Sequence, residues 1–415
     1  MSLITFFCIC LFIILVITGL TKKSDFFSPA RIFALVWIFS IGLADLKLSR
    51  LQHDWSFYSW VILLIALLSF LLGTYISYVN NINKKLLSLN EVRSFLKIGD
   101  SEKKRLFNAI LLLFIIYCIC LFSEIYIEGF VPLFTKRPDM ARNEFGLFGI
   151  HLFVNSQLVI MYFCIAFVLL TKSTKSKKII IWSAFLFTML SYFTLLERFN
   201  YFVWIIITFL MIYYSSKLIK PYKLIIGGLV FFVTLYTAIQ GIRLSRYVSS
   251  YIYLISKMKY SIKYAAFTEP YMYISMNLEN FTRAVDKLQN HSLGFLTFDW
   301  LFALTGMKKT LITYFNVTDR PFLISGFNTF PFMWYYFSDF GVLGVGLLPF
   351  VFGLSISEIY YKMRIKPSFL LITLYSFGVA FIVLSFFTNI FTMLNYFVCI
   401  VLSVLICSYV FKNND

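Results

Sequence analysis

The chain has 415 residues, a formal net charge of +18, and is 60% hydrophobic and 20% aromatic with only 13% charged residues; its mean hydropathy is +0.82. Soluble domains carry about twice that share of charge, so a string of soluble domains is excluded. Apolar runs of about 17–25 residues recur from end to end, each long enough to cross a ~30 Å hydrocarbon core as a helix, and the sequence predicts an all-α polytopic membrane protein with 1–415 as one integral membrane domain.

In chain order, spans are expected at 3–19, 29–46, 56–79, 107–128, 150–171, 179–196, 201–216, 223–240, 335–361, 368–388 and 391–411, about eleven in all. The first has no basic residue before it and Lys22 and Lys23 after it, the reverse of a secretory signal, so it reads as a retained helix with its N-terminus outside. Counting from there, the inner connections hold Lys22, Lys23 and Arg31, a Lys-rich loop over 80–106, Lys172 to Lys178, Lys217 to Lys223, and Lys362, Arg364 and Lys366. Short outer connections hold few basic residues: Lys47, Arg50, Lys136, Arg137, Arg142 and Arg198. The positive charge is therefore an orientation signal that puts the C-terminus in the cytoplasm. It is not a nucleic-acid footprint, and anionic lipid headgroups are its default partner.

Two outer segments stand apart, a smaller one at 129–149 and a large external loop at 241–331. The large loop carries apolar-periodic stretches around YVSSYIYLISKMKYSIKY and EPYMYISMNLENFTRAVDKL, so it is expected to be partly helical and to lie on the membrane surface. No internal repeat of fixed period is evident, which argues against transporter folds built from similar halves. The seven cysteines, Cys8, Cys10, Cys118, Cys120, Cys164, Cys399 and Cys407, all fall in expected spans and read as small buried hydrophobes. With His53, His151 and His291 scattered and no HExxH, no metal or other cofactor is expected.

Charged groups at the outer ends of spans are the informative ones, because a charge at that depth usually faces a cavity or a partner. Arg243 and Arg246 in QGIRLSRY share one helix face by their i, i+3 spacing and suit a diphosphate. Arg198 in LLERFNYF lies in the tight turn between two spans. The bland alternative is that such arginines merely snorkel to the interface. Outer-face acids are Asp45, Glu124, Glu128, Glu197, Glu269 and Asp339. Glu269 precedes Pro270 at the start of an amphipathic stretch. Asp339 sits about one turn inside the ninth span and reads either as a base for a sugar hydroxyl or as a structural partner of an arginine. Its Asp-Phe-Gly is not a kinase motif, since no Gly-rich loop, V-A-I-K strand or H-R-D accompanies it. Gly341, Gly344, Gly346 and Gly353 are expected to be close helix-packing positions.

GFNTFPFMWYYFSDFGVLGVGLLPFVFG resembles the segment of bacterial oligosaccharide repeat-unit polymerases, the Wzy-type O-antigen and capsule polymerases, in which an N-T-aromatic stretch leads to D-F-G-x-x-G and a Gly-containing span. SEIYIEGFVPLF is similar to the family's G-(I/V)-P-L-F, and Glu197-Arg198 stands where the family more usually has Gly-Ser-Arg; the likeness runs from about 107 to 355. The resemblance implies a metal-independent membrane glycosyltransferase of the bacterial cytoplasmic membrane. Such an enzyme moves a growing glycan from undecaprenyl diphosphate onto the non-reducing end of a new lipid-linked repeat unit, on the outer side. Its partners would be undecaprenyl-diphosphate-linked oligosaccharides, with a chain-length regulator as a further candidate. In that reading Arg198, Arg243 and Arg246 stabilise the leaving diphosphate, Arg142 is a further diphosphate ligand, and Glu269 and Asp339 are the candidate catalytic carboxylates. Tyr271, Tyr273, Trp300, Trp334 and Tyr335 could stack on sugars or form an interfacial belt. The rival class is a lipid-linked oligosaccharide flippase, which would need basic residues in the middles of its spans; these are nearly free of Lys and Arg. An acyltransferase lacks a well-placed His.

Overall fold

The computed structural model describes the chain except for residues 1, 20–24, 96–97, 217–226, 228–229, 231–232, 235–247, 289, 315–325 and 412–415. Among the described residues the fold is helical throughout, with one isolated antiparallel bridge, Ser49 to Met258. Every expected run within them carries a helix; the run at 223–240 lies largely outside them. Five helical stretches are long and apolar enough to cross a membrane: Phe57–Asn81, Asp100–Phe134, Ile150–Leu170, Arg198–Ser215 and Phe332–Ile365. Leu3–Gly19, Phe369–Leu384 and Leu394–Val410 are shorter apolar helices. This is a helical membrane protein.

In chain order the helices are α1 (Leu3–Gly19), α2 (Pro29–Asp45), α3 (Phe57–Asn81), α4 (Leu89–Phe95), α5 (Asp100–Glu128), α6 (Pro138–Glu144), α7 (Ile150–Val154), α8 (Gln157–Leu170), α9 (Lys175–Phe193), α10 (Arg198–Ser215), α11 (Val248–Ile255), α12 (Thr268–Lys287), α13 (Asp299–Leu304), α14 (Lys308–Tyr314), α15 (Phe332–Ile365), α16 (Phe369–Leu384) and α17 (Leu394–Val410). Local chemistry sets their ends. Pro29 opens α2 with its fixed φ. Ser56 caps α3 by accepting the Ser59 amide. Gly129 at φ 74° closes α5 in the left-handed conformation that glycine adopts without a Cβ penalty.

The chain folds as two compact units. The first comprises Met1–Lys84, Tyr247–Tyr361 and Phe381–Leu394. Its centre is aromatic: Phe33 stacks on Phe70 with ring centroids 3.9 Å apart, Trp37 lies against Phe332, and the Trp37 indole donates to Ser385 Oγ at 2.9 Å. Helix α12, from the large loop, packs on α2 and α3 and buries most of its length, from Tyr271 to Val285. A short segment after α2 runs beside the end of α11, where Lys259 N–H donates to Leu48 O at 2.8 Å and Arg50 N–H to Lys257 O at 3.0 Å.

The second unit comprises Lys85–Arg246, Lys362–Ala380 and Asn395–Asp415. Its central helix is α8, with every residue from Leu158 to Cys164 at most 1% exposed. A helix that is apolar on all sides must be surrounded, and α5, α9 and α10 pack around it. Its buried Tyr162 hydroxyl shares a 2.8 Å hydrogen bond with Thr373. The expected run at 150–171 is one helical stretch, Ile150–Leu170, with a turn at Asn155 and Ser156, both in the right-handed helical region, that separates α7, which carries His151, from α8.

Candidate functional site

Three chain turns of the second unit bring charged side chains to one place. Glu124 lies in the last two turns of α5 and is fully buried. The chain after Gly129 forms α6 and returns at Gly146, whose φ of +125° and closeness to His151 both demand glycine: a Cβ there would lie 2.9 Å from the imidazole Nδ1. The tight turn between α9 and α10 holds Leu196 at φ 62° and presents Glu197 just before the helix begins at Arg198. Leu133 N–H donates to Thr194 O at 3.0 Å and fixes that turn to the segment following α5.

His151 sits between two carboxylates. Its Nδ1 is 3.1 Å from Glu124 Oε2 and its Nε2 is 3.5 Å from Glu197 Oε1. Glu124 also accepts the Leu147 amide at 3.0 Å, which holds the carboxylate in position behind the ring. With a carboxylate at each ring nitrogen, both nitrogens serve as donors, Nδ1 to Glu124 and Nε2 to Glu197. The other oxygen of Glu197 accepts from the Tyr192 hydroxyl and, at 3.2 Å, from the Asn200 amide. Asn155 Oδ1 accepts from the Asn200 amide at 2.8 Å and lies 2.7 Å from the Tyr192 hydroxyl oxygen, and Tyr396 donates to Asn200 Oδ1. Burial pushes the Glu197 carboxyl upward, but the hydrogen bonds from His151 and Tyr192 and the charges of His151 and Arg142 outweigh it and hold Glu197 below the usual glutamate value. The cluster has access to solvent, with 21% of the His151 side chain and 28% of that of Glu197 exposed.

Two of the arginines expected from the sequence belong to this unit. Arg142, half-buried on α6, donates from Nη2 to Asn143 Oδ1 at 3.1 Å, while its buried Nε has no hydrogen-bond partner among the described residues. Arg198 is half-buried at the first position of α10, adjoining Glu197. Arg243 and Arg246 lie outside the described residues.

The two expected carboxylates belong to the first unit. Glu269 is half-buried in the first turn of α12. Asp339 is fully buried, and its oxygens accept from the Ser292 hydroxyl, the Leu296 amide at 3.1 Å and the Thr297 amide at 2.6 Å. Among the described residues its hydrogen bonds run to a loop and none to an arginine. Among the four glycines expected to pack helices closely, Gly353 does so, Gly341 and Gly344 serve the break in α15, and Gly346 meets only Ile65 at 4.0 Å.

His151 was not singled out by its sequence setting. A legible signal existed in the topology: Glu124, His151 and Glu197 occupy the same ends of three consecutive expected spans. No protein-family model, characterised protein or solved structure matches the chain.

Proposed function

We propose that the protein polymerises lipid-linked oligosaccharide repeat units, transferring a growing glycan from undecaprenyl diphosphate to the non-reducing end of a new undecaprenyl-diphosphate-linked unit. The reading starts from the resemblance of residues 326–353 to the repeat-unit polymerases. The observation that carries it is the cluster in which Glu197, paired with His151, stands in the field of Arg142 and directly before Arg198. Displacing a lipid diphosphate needs cations where negative charge develops and a group that accepts the proton of the attacking hydroxyl. Both kinds of group occur together here, with Arg142 and Arg198 as diphosphate ligands; Arg243 and Arg246, outside the described residues, are further candidates by their sequence alone.

In the same reading the chain crosses the bacterial cytoplasmic membrane about eleven times, with its N-terminus outside and its C-terminus inside. The cluster then lies at the outer ends of its helices, where flipped lipid-linked units arrive.

The surface glycan of a deletion strain tests this. A polymerase leaves cells displaying single repeat units, restored to long chains by the gene in trans. Loss of all surface glycan with lipid-linked units trapped on the inner leaflet would replace this reading with a flippase, and an unchanged length profile would remove the protein from chain extension.

A further inference from the structure

We infer that Glu197, backed by His151 and Glu124, is the proton acceptor of the transfer, so that the acceptor sugar hydroxyl is activated in the second unit beside Arg142 and Arg198. This rests on the polymerase reading and adds to it the identity of the base.

The argument is geometric. Glu124 occupies the Nδ1 side of the imidazole, and Nε2 faces Glu197 Oε1 across 3.5 Å, so the charged ring is held against both carboxylates. At that distance the ring pairs with Oε1 and leaves it open on its other side. The second oxygen of Glu197 is engaged by Tyr192 and Asn200, so Oε1, whose contact with His151 is long, is the oxygen that meets a substrate hydroxyl. Both side chains retain solvent access, whereas Glu124 has none and acts as the positioning residue that orients the ring. The buried, unpartnered Nε of Arg142 adds a donor awaiting an anion in the same unit.

In the step proposed, the O–H bond of the acceptor hydroxyl breaks as its oxygen bonds to the anomeric carbon of the donor glycan. The bond from that carbon to the diphosphate oxygen breaks, and its electron pair leaves on undecaprenyl diphosphate, opposite Arg142 and Arg198. The proton passes to Oε1 of Glu197, beside the His151 cation, and is released to water. The titratable and charged groups around Glu197 are His151, Glu124, Arg142, Tyr192, Tyr201 and Tyr396. The acid side of the rate profile belongs to Glu197, whose carboxyl the charges of His151 and Arg142 hold low.

The test uses full-length protein in detergent or nanodiscs with single repeat units on undecaprenyl diphosphate extracted from the deletion strain. Chain extension is followed by gel across a pH series. Wild type must extend these units; failure to do so would overturn the polymerase reading itself. Given an active wild type, Glu197→Gln should lower the extension rate by about 10²–10⁴-fold with little change in the concentration of lipid-linked unit giving half the rate. Glu197→Asp should recover part of it, and His151→Gln should displace the acid limb of the pH profile. Extension by Glu197→Gln within about threefold of wild type would overturn the inference. If Glu197→Gln does not accumulate, an acid limb left in place in His151→Gln would overturn it equally.

Discussion

Asp339 accepts a hydrogen bond from the Ser292 hydroxyl, tying the first turns of α15 to a loop 47 residues earlier in the chain. The same carboxylate takes the amides of Leu296 and Thr297, while Ser292 N–H donates to Ser338 O at 3.0 Å and Leu293 N–H to Asp339 O at 3.2 Å. The acid in Asp-Phe-Gly thus satisfies a turn whose own backbone is bent through Leu293 at φ 47° and Gly294 at φ 99°. Such successive amides form a concave anion site, and here the chain fills it itself. Asp339→Asn keeps the shape but sets an amide against N–H donors, so it should destabilise the protein by roughly 3 kcal/mol. Ser292→Ala should cost about 1 kcal/mol. Thermal unfolding in detergent measures both, and a Tm for Asp339→Asn equal to wild type would contradict the clamp.

Glycines near that clamp do different work. A Cβ on Gly353 would lie 2.2 Å from the Phe70 carbonyl oxygen, and one on Gly73 would lie 2.2 Å from that of Phe350, so α3 and α15 cross at a pair of glycines. Gly353→Ala should therefore destabilise by about 2–3 kcal/mol through forced separation of the helices. Gly341 lies at φ +60° inside α15, and a Cβ there would sit 3.0 Å from His291 Nε2, so alanine should cost a similar amount by backbone strain. Gly346→Ala, with open space, should be neutral or slightly stabilising. A scan in which all three alanines behave alike would refute this division.

The helices were legible because a bilayer leaves so few options: long apolar runs must satisfy their own backbone, and Pro29, Ser56 and Gly129 mark ends by local chemistry. The candidate site was only half legible. Arg142 and Arg198 were marked by lying on the sparsely basic outer side, and Glu124 and Glu197 by being rare acids at span ends. What joined them was not visible, because it depends on the return of the chain at Gly146, which sets His151 against Glu124, and on the turn before α10 that brings Glu197 to the other side of the ring. Asp339 illustrates the converse. Its spacing from the apolar run located it at a helix start, but nothing in the order of residues revealed that Ser292 and two amides would occupy its oxygens.

A second buried acid gives a pH prediction. Glu279 on α12 contacts the His53 imidazole at 2.8 Å and accepts from the Trp55 indole at 2.8 Å. Burial pushes its carboxyl above the usual glutamate value, and the Trp55 hydrogen bond and the His53 charge only partly offset that. A raised carboxyl binds its proton more tightly folded than unfolded. The resulting stabilisation is complete below the ordinary value near 4.5 and fades as pH rises through the raised one. Thermal melts of wild type and Glu279→Gln over that window should diverge, the variant losing less stability on going from acid to neutral pH. Parallel curves would show that Glu279 does not titrate differently on folding.

Arg142 offers the sharpest test of the cluster that is separate from its base. Its charge helps hold Glu197 below the ordinary carboxylate range, and its unpartnered Nε is a donor for a bound anion. Under the proposed function, Arg142→Ala should reduce chain extension by about 10²–10³-fold, as loss of one donor to a developing charge does elsewhere. It should also let the Glu197 carboxyl rise, so that the residual activity fails at a higher pH on the acid side than in wild type. Arg142→Lys restores the charge without the planar fork, and should return the pH profile more fully than the rate. Glycan length on gels and extension rates across pH, at matched protein levels, separate the two effects. Long chains made by Arg142→Ala at the wild-type rate would remove Arg142 from the diphosphate site.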